Sequence, residues 1–226
     1  MLLYMLKTAM KITVGLLKAS HFGPTVIVIS TAFLLSLSQL SALSSLQIAV
    51  AVFAGQLIVG WSNDLIDFPL DRAAGRMKKP LVSGEIAESL LKKSLLVAVI
   101  AAVILSLLSP MGLKGSIIHI LGISSAIIYN LKLKPTILSP VPYVISFGAM
   151  PWAVYAAVNE NPPLWLYLNF ILFSVAFHFL NVLKDLEWDL NQGVLGLPQR
   201  IGRTPSLVVA LILALSGVLN TIFLRS

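Results

Sequence analysis

Residues 44–72 read SSLQIAVAVFAGQLIVGWSNDLIDFPLDR, and this stretch decides the fold. Its first part, 44–62, is predominantly apolar and about as long as the roughly 20 residues that a helix needs to cross a bilayer. Asp64, Asp67 and Asp71 follow at once. The stretch therefore predicts a membrane-spanning helix that ends in an acidic patch at the membrane surface.

The rest of the chain has the same character. Of its 226 residues 58% are hydrophobic and 11% are charged, with a mean hydropathy of +0.93, whereas a soluble domain carries about a quarter charged residues. About seven apolar stretches of spanning length fit, at 22–42, 44–62, 90–109, 113–131, 138–158, 163–182 and 204–224. Because lipid offers no hydrogen-bond partners to the backbone, we predict an all-α, polytopic transmembrane bundle that forms a single domain over residues 1–226. The first 20 residues are predicted to form an interfacial amphipathic helix.

The charges indicate the orientation of the chain. With the N-terminus inside, all but two of the 16 Lys and Arg residues lie on the inner side, the exceptions being Lys114 and Arg225. Of the nine acids only Glu160 lies outside. We therefore attribute the net charge of +7 to topology. We predict a multi-pass protein of the plasma membrane with cytoplasmic polar loops and no nucleic-acid partner. The absence of cysteine excludes disulfides, thiolate metal sites and cysteine nucleophiles.

The first polar loop, residues 63–84, carries three carboxylates at helical spacing. Asp64, Asp67 and Asp71 stand at i, i+3 and i+7, and Asn63 extends the stripe. Carboxylates on one face repel one another unless a cation is present, and Mg²⁺ takes oxygen ligands that it often shares with substrate phosphates. Pro69 removes a backbone donor and predicts an interruption of the helix.

The second polar loop, residues 181–202, repeats this chemistry. Asp185 and Asp189 stand at i, i+4 and follow Asn181 and Lys184. Two carboxylate faces at matching depth on one membrane side suit two metal ions that hold one diphosphate. Basic residues predicted on the same side would neutralise a leaving diphosphate: Arg76, Lys78, Lys79, Lys132 and Lys134.

Other polar residues have ordinary explanations. Helix–helix hydrogen bonding is the favoured interpretation of His178, and no special role is predicted for His21. Trp61 is assigned to the aromatic belt at the membrane interface. Glu85 and Glu88 are predicted to cap the N-terminus of the third span.

Two ordered signatures make the chain resemble the UbiA superfamily of intramembrane prenyltransferases. The first, NDxxDxxxD followed by Arg and by a basic-Pro-Leu-x-Ser-Gly run, is present at 63–71, Arg76 and 79–84. The second, DxxxDxxxG followed by Leu-Pro and Gly, is present at 185–193, 197–198 and Gly202. The segment from Tyr129 to Lys134 is similar to the family's stretch after the fourth helix.

The resemblance implies a helical bundle with a cavity capped by the Asp-rich loops. Mg²⁺ would join the aspartates to a prenyl diphosphate, and ionisation of the allylic C1–O bond would give a carbocation-like species that an aromatic or other lipophilic acceptor captures. The implied metal ligands are Asp64, Asp67, Asp71, Asp185 and Asp189. The residues predicted to bind substrate are Asn63, Arg76, Lys79, Lys132, Lys134, Asn181 and Lys184. Tyr129, Asp67 and Asp185 are the predicted catalytic residues.

The chain departs from the family in some features. The family typically has nine spans and about seven fit here; compared with the family, we therefore expect one cavity wall to be absent or supplied by a second copy. Lys79 stands where Arg is usual, which loses bidentate phosphate binding. Two alternatives stay open: a CDP-alcohol phosphotransferase-like enzyme, whose single contiguous Asp motif is not matched, and a non-catalytic binding or transport homologue.

Overall fold

The computed structural model describes residues 2–225, with side chains from residue 9 onward, and this part of the chain is helical and without strands. The helices are α1 (Leu2–Ala19), α2 (Phe22–Leu37), α3 (Ala42–Ala73), α4 (Glu88–Leu108), α5 (Gly112–Ile128), α6 (Val141–Tyr155), α7 (Leu164–Asn191), α8 (Leu197–Ile201) and α9 (Arg203–Leu224). A π-helical turn, Tyr129–Leu133, continues α5, and a 3₁₀ turn, Ala156–Val158, continues α6.

The helices pack within two compact units. The first, Met1–Pro110, contains α1 to α4, and α3 packs there against α2 and α4. The second, Met111–Ser226, contains α5 to α9; α5 packs against α6, and α7 against α6 and α9. The single domain predicted over residues 1–226 stays a prediction.

The predicted multi-span, all-α architecture is confirmed. Six helices of the described chain are long and apolar enough to cross a membrane, and a seventh span results if the bent pair of α1 and α2 counts as one. The first span is shorter than predicted, since α2 has 16 residues and ends at Leu37, which gives about 24 Å against a hydrocarbon core of about 30 Å. Residues Ala9–Ala19 of α1 meet α2 at a 72° bend. The predicted interfacial helix over residues 1–20 corresponds to α1, whose side chains before Ala9 lie outside the described residues; its interfacial position stays a prediction.

The second span shows why the first Asp motif is helical. Ser41 caps α3 by accepting a hydrogen bond from the Ser44 amide at 3.2 Å, and the helix then runs through Pro69 to Ala73. The predicted interruption at Pro69 is wrong. Proline removes one backbone donor, yet the helix continues for four residues beyond Pro69, which lies at an exposed position near the helix end.

Small residues make the helix contacts close. Most of the buried face of α3 consists of Ala, Gly and Ser with a few β-branched residues, as is typical where membrane helices approach one another. By contrast α9 is the least buried of the spanning helices and exposes large apolar side chains along its length. It is therefore suited to lipid contact.

Candidate active site

The aspartates of the first motif lie on the last turns of α3. Asp64 and Asp71 are each only 3% exposed, and Asp67 is half-buried. The Asn63 side-chain amide donates to Asp67 Oδ2 at 3.1 Å, across one helical turn. The predicted helical continuation of the motif is therefore confirmed, while the roles of its residues stay predictions.

A tight C-terminal turn returns the chain to the motif. The Gly75 amide bonds to the Arg72 carbonyl and the Arg76 amide to the Asp71 carbonyl, with Gly75 at φ 64°. This is a Schellman cap, which requires a left-handed residue after the helix and therefore favours glycine. The cap turns the chain back and brings Arg76 beside Asp71.

The basic residues predicted to bind diphosphate contact the carboxylates directly. Lys79 Nζ lies 2.6 Å from Asp64 Oδ1 and 3.9 Å from Asp71 Oδ2. Arg76 Nη1 lies 3.1 Å from Asp71 Oδ1. Since an unpaired buried carboxylate is costly, these cations compensate the charge of the motif.

A basic cavity of about 550 Å³ opens beside these ion pairs in the first unit. Its lining includes five basic side chains: Lys18, His21, Arg76, Lys78 and Lys79. His21 was predicted to have no special role, but its Nε2 lies 3.0 Å from Asp64 Oδ1. The cavity is thus suited to an anionic group that approaches the buried aspartates.

The first motif can accommodate a hard divalent cation. Asp64 Oδ2 is buried and has no hydrogen-bond partner, and the other candidate ligands are oxygen atoms, the donors that Mg²⁺ prefers. Within the described chain no three His, Asp or Glu side chains form a complete metal cage.

The second motif lies at the end of α7, which extends to Asn191. Asp185 is exposed, whereas Asp189 is buried and accepts a 2.7 Å hydrogen bond from the Gln199 side-chain amide. Lys184 Nζ lies 3.4 Å from Asn181 Oδ1 at the exposed surface. The i, i+4 spacing is helical as predicted, and α8 folds back over the motif through Gln199.

The segment after α5 carries Tyr129. Its π-helical turn is closed by the Lys134 amide and the Tyr129 carbonyl at 2.9 Å, and π turns are often found at functional sites. Tyr143 packs edge-on against Tyr129, with ring centroids 5.4 Å apart, and makes side-chain hydrogen bonds with Tyr129 and Asn181. Tyr129 and Asn181 were both predicted site residues, and the side chain of Tyr143, which the sequence did not indicate, connects them.

Ser139 joins this segment to the loop of the second motif. Its hydroxyl accepts from the Leu197 amide at 3.1 Å and lies 3.1 Å from His178 Nε2. Gly196 packs so closely that an added Cβ would lie 2.7 Å from the Lys134 carbonyl oxygen. His178 forms a hydrogen bond as predicted, but the predicted helix–helix contact is wrong, because its partner Ser139 lies in the turn before α6.

Two other predictions are wrong. Glu85 does not cap the third span, because α4 begins at Glu88; its carboxylate instead pairs with Lys18 Nζ at 2.9 Å. Trp61 does not belong to an interfacial belt: its ring is buried and its Nε1 donates to the Leu16 carbonyl at 2.9 Å. In both cases a tertiary contact with α1 replaces the predicted local role.

The profile of the UbiA prenyltransferase family matches residues 23–225. The chain belongs to this family. Two curated relatives are similar to it, and both are 4-hydroxybenzoate octaprenyltransferases. The Pectobacterium carotovorum protein is 28% identical over 74% of this chain and 59% of its own length. The Enterobacter protein is 27% identical over 70% of this chain and 54% of its own length. The chain spans less than two thirds of the length of these UbiA-family relatives.

Solved structures show the same fold. A UbiA homologue from Archaeoglobus fulgidus bound to DMAPP and Mg²⁺ superposes with a TM-score of 0.77 at 14% identity, over 92% of this chain and 77% of that one. The digeranylgeranylglyceryl phosphate synthase structure superposes with a TM-score of 0.67 at 22% identity, over 95% of this chain and 76% of that one. The chain therefore has the UbiA fold.

Three residues that contact the Asp motifs or the turn beside them were not recognised from the sequence: His21 in the first unit, and Ser139 and Gln199 in the second. His21 already falls between the helix predicted over the first 20 residues and the span predicted at 22–42, but the sequence gives no sign of its contact with Asp64. For Ser139 and Gln199 the sequence carries no periodic signal, because both act through contacts across the fold.

Proposed function

We propose that this protein transfers a prenyl group from an allylic prenyl diphosphate to a lipophilic acceptor in the membrane, with Mg²⁺ as cofactor. One observation carries the proposal: Asp64, whose Oδ2 is buried and unpaired, contacts Lys79, and Lys79 and Arg76 line a basic cavity. A carboxylate oxygen without a partner suits a cation, and clustered basic groups suit phosphate oxygens. A metal-bound diphosphate satisfies both.

The relatives support this proposal. Archaeoglobus fulgidus UbiA homologues have been solved with DMAPP or GPP together with Mg²⁺. The curated relatives are octaprenyltransferases of 4-hydroxybenzoate, which is an aromatic acceptor. An allylic diphosphate donor and an aromatic or other lipophilic acceptor are therefore the first substrates to test.

The roles of the polar residues follow from their charges. We assign Mg²⁺ to the carboxylates of both motifs: Asp64, Asp67, Asp71, Asp185 and Asp189. Bound Mg²⁺ supplies Lewis acidity that neutralises the leaving diphosphate. Arg76 and Lys79, which contact Asp71 and Asp64, would donate to diphosphate oxygens. Further candidates for this binding are Asn63, Lys132, Lys134, Asn181 and Lys184.

The reaction needs charge stabilisation more than proton transfer. The C1–O bond of the donor breaks, and its electron pair leaves with the diphosphate. Tyr129 belongs to a group of rings with Tyr143 and His178, at centroid distances of 4.5–5.8 Å, and an electron-rich tyrosine face stabilises a cation. The acceptor then forms a bond to C1 and releases a proton.

The test uses purified protein in lipid nanodiscs with labelled allylic diphosphates, Mg²⁺ and candidate acceptors, beginning with 4-hydroxybenzoate. We expect a prenylated product by mass spectrometry and none after chelation of the metal. A saturated-chain diphosphate should bind but not react, because only allylic cleavage gives a delocalised cation. Equal turnover of both donors would indicate phosphoryl transfer instead, and binding without any product would indicate a non-catalytic homologue.

A further inference from the structure

His21 lies at a sharp corner of the backbone. It follows α1 and precedes α2, which meet at a 72° bend, and its φ and ψ are 54° and 59°. A residue other than glycine in this left-handed region costs about 1–2 kcal/mol. Such strain persists only where the surroundings enforce it, and it is concentrated at functional sites.

Contacts with α3 enforce the corner. A Cβ added to Gly60 would lie 2.6 Å from the Ser20 carbonyl oxygen, so only glycine allows this approach. Trp61 Nε1 donates to the Leu16 carbonyl at 2.9 Å. Within the corner itself, the Thr25 hydroxyl of α2 donates to the Ser20 carbonyl at 2.7 Å. The corner is therefore held against α3 one turn before Asp64.

The imidazole of His21 selects one oxygen of Asp64. His21 Nε2 and Lys79 Nζ both contact Oδ1, at 3.0 and 2.6 Å. Oδ2 of the same carboxylate is buried and unpaired. Two donors on one oxygen fix the rotation of the carboxylate and direct the other oxygen away from them.

We propose that His21 is a positioning residue that orients Asp64 so that Oδ2 is available to a divalent cation. The inference rests on the proposed function, because it concerns the cation assigned to that site. Partners that hold a carboxylate ligand in place typically contribute about 10- to 100-fold to metal affinity. The α1–α2 corner thereby becomes part of the site, although it lies outside both Asp motifs.

The test measures binding of Mn²⁺ alone, which prefers the same oxygen ligands as Mg²⁺, to the full chain in nanodiscs by electron paramagnetic resonance. His21→Gly removes the ring and suits the left-handed backbone, and His21→Gln retains an N–H donor at similar reach. Trp61→Phe is the matched control, because it removes a hydrogen bond of the same corner without touching Asp64. Asp64→Asn removes the carboxylate charge and shows how much Mn²⁺ binding remains without it.

We expect His21→Gly to weaken Mn²⁺ binding about 10- to 100-fold, His21→Gln to restore most of it, and Trp61→Phe to leave it unchanged. Equal affinity of wild type and His21→Gly, or an equal loss in Trp61→Phe, would overturn the proposal, as would a wild type that binds no Mn²⁺. Because no turnover is measured, Mn²⁺ binding that depends on His21 in a protein without transferase activity would refute only the proposed function.

Discussion

Replacement of Gly196 by alanine should separate positioning of the site from stability of the fold. Gly196 has an ordinary backbone, with φ −65° and ψ 172°, so alanine adds no backbone strain. The close approach of its neighbours is what requires glycine. An added Cβ would lie 2.6 Å from Gln199 Oε1, 2.7 Å from the Lys134 carbonyl oxygen and 3.1 Å from Ser139 Oγ.

The size of the effect follows from these distances. Ordinary contact begins at 3.4 Å, so the Lys134 carbonyl must retreat by 3.4 − 2.7 = 0.7 Å. That carbonyl ends the segment that carries Tyr129, and Gln199 holds Asp189. A misplacement of about 1 Å can cost about 100-fold in rate, so we expect Gly196→Ala to lower kcat/KM by about 10- to 100-fold. Overpacking should also reduce stability by about 1–3 kcal/mol.

The assay compares kcat/KM for prenyl transfer with the midpoint of thermal unfolding. Gly217→Ala is the matched control, since its added Cβ would lie 2.8 Å from the Phe173 ring in the same unit. Phe173 precedes Asp189 by 16 positions in α7, a distance of about 24 Å along the helix. Both variants should melt earlier than wild type, but only Gly196→Ala should lose activity.

Two results would refute this reasoning. Normal kcat/KM in Gly196→Ala would show that the contact between Gly196 and Lys134 does not position the site. An equal loss in Gly217→Ala, measured where both variants are folded, would show that activity follows general stability.

Two further predictions concern the Asp motifs. Asp67→Ala and Asp185→Ala should each lower kcat by at least about 10²–10³-fold, the typical cost of one preorganised electrostatic contact, whereas Glu88→Ala should stay close to wild type; near-normal activity of Asp185→Ala would contradict the assignment of the second motif. Because the chain has no cysteine, single cysteines at Glu88 and Gln192 should be labelled from the cytoplasmic side only and one at Asn161 from the other side. Labelling of the first two from opposite sides would exclude a shared cytoplasmic orientation.

Local periodicity predicted part of the candidate site. The helical spacing of Asn63 and Asp67 and the end of α7 at the second motif agree with the sequence, because a spacing of three or four residues defines a helix face whatever the helix packs against. Pro69 was misjudged because residue spacing does not show whether the folded chain tolerates a proline near the end of a helix.

Contacts over long sequence separations could not be predicted. His21 is 43 residues from Asp64, and Ser139 is 39 and 58 residues from His178 and Leu197. No local pattern encodes such pairs, because they depend on which helices pack together and on how closely small residues such as Gly60 let them approach.

The sequence by itself determined the membrane class, the all-α fold and the two Asp motifs. A bilayer admits few alternatives for long apolar stretches, since every backbone group must be satisfied within the chain. Only the tertiary structure decided which partner each carboxylate has: Lys79 and His21 for Asp64, Arg76 for Asp71, and Lys18 for Glu85. The sequence predicts all these side chains on the same side of the membrane, so composition and spacing cannot show which of them form pairs. In the folded chain, burial penalises every carboxylate that lacks a partner.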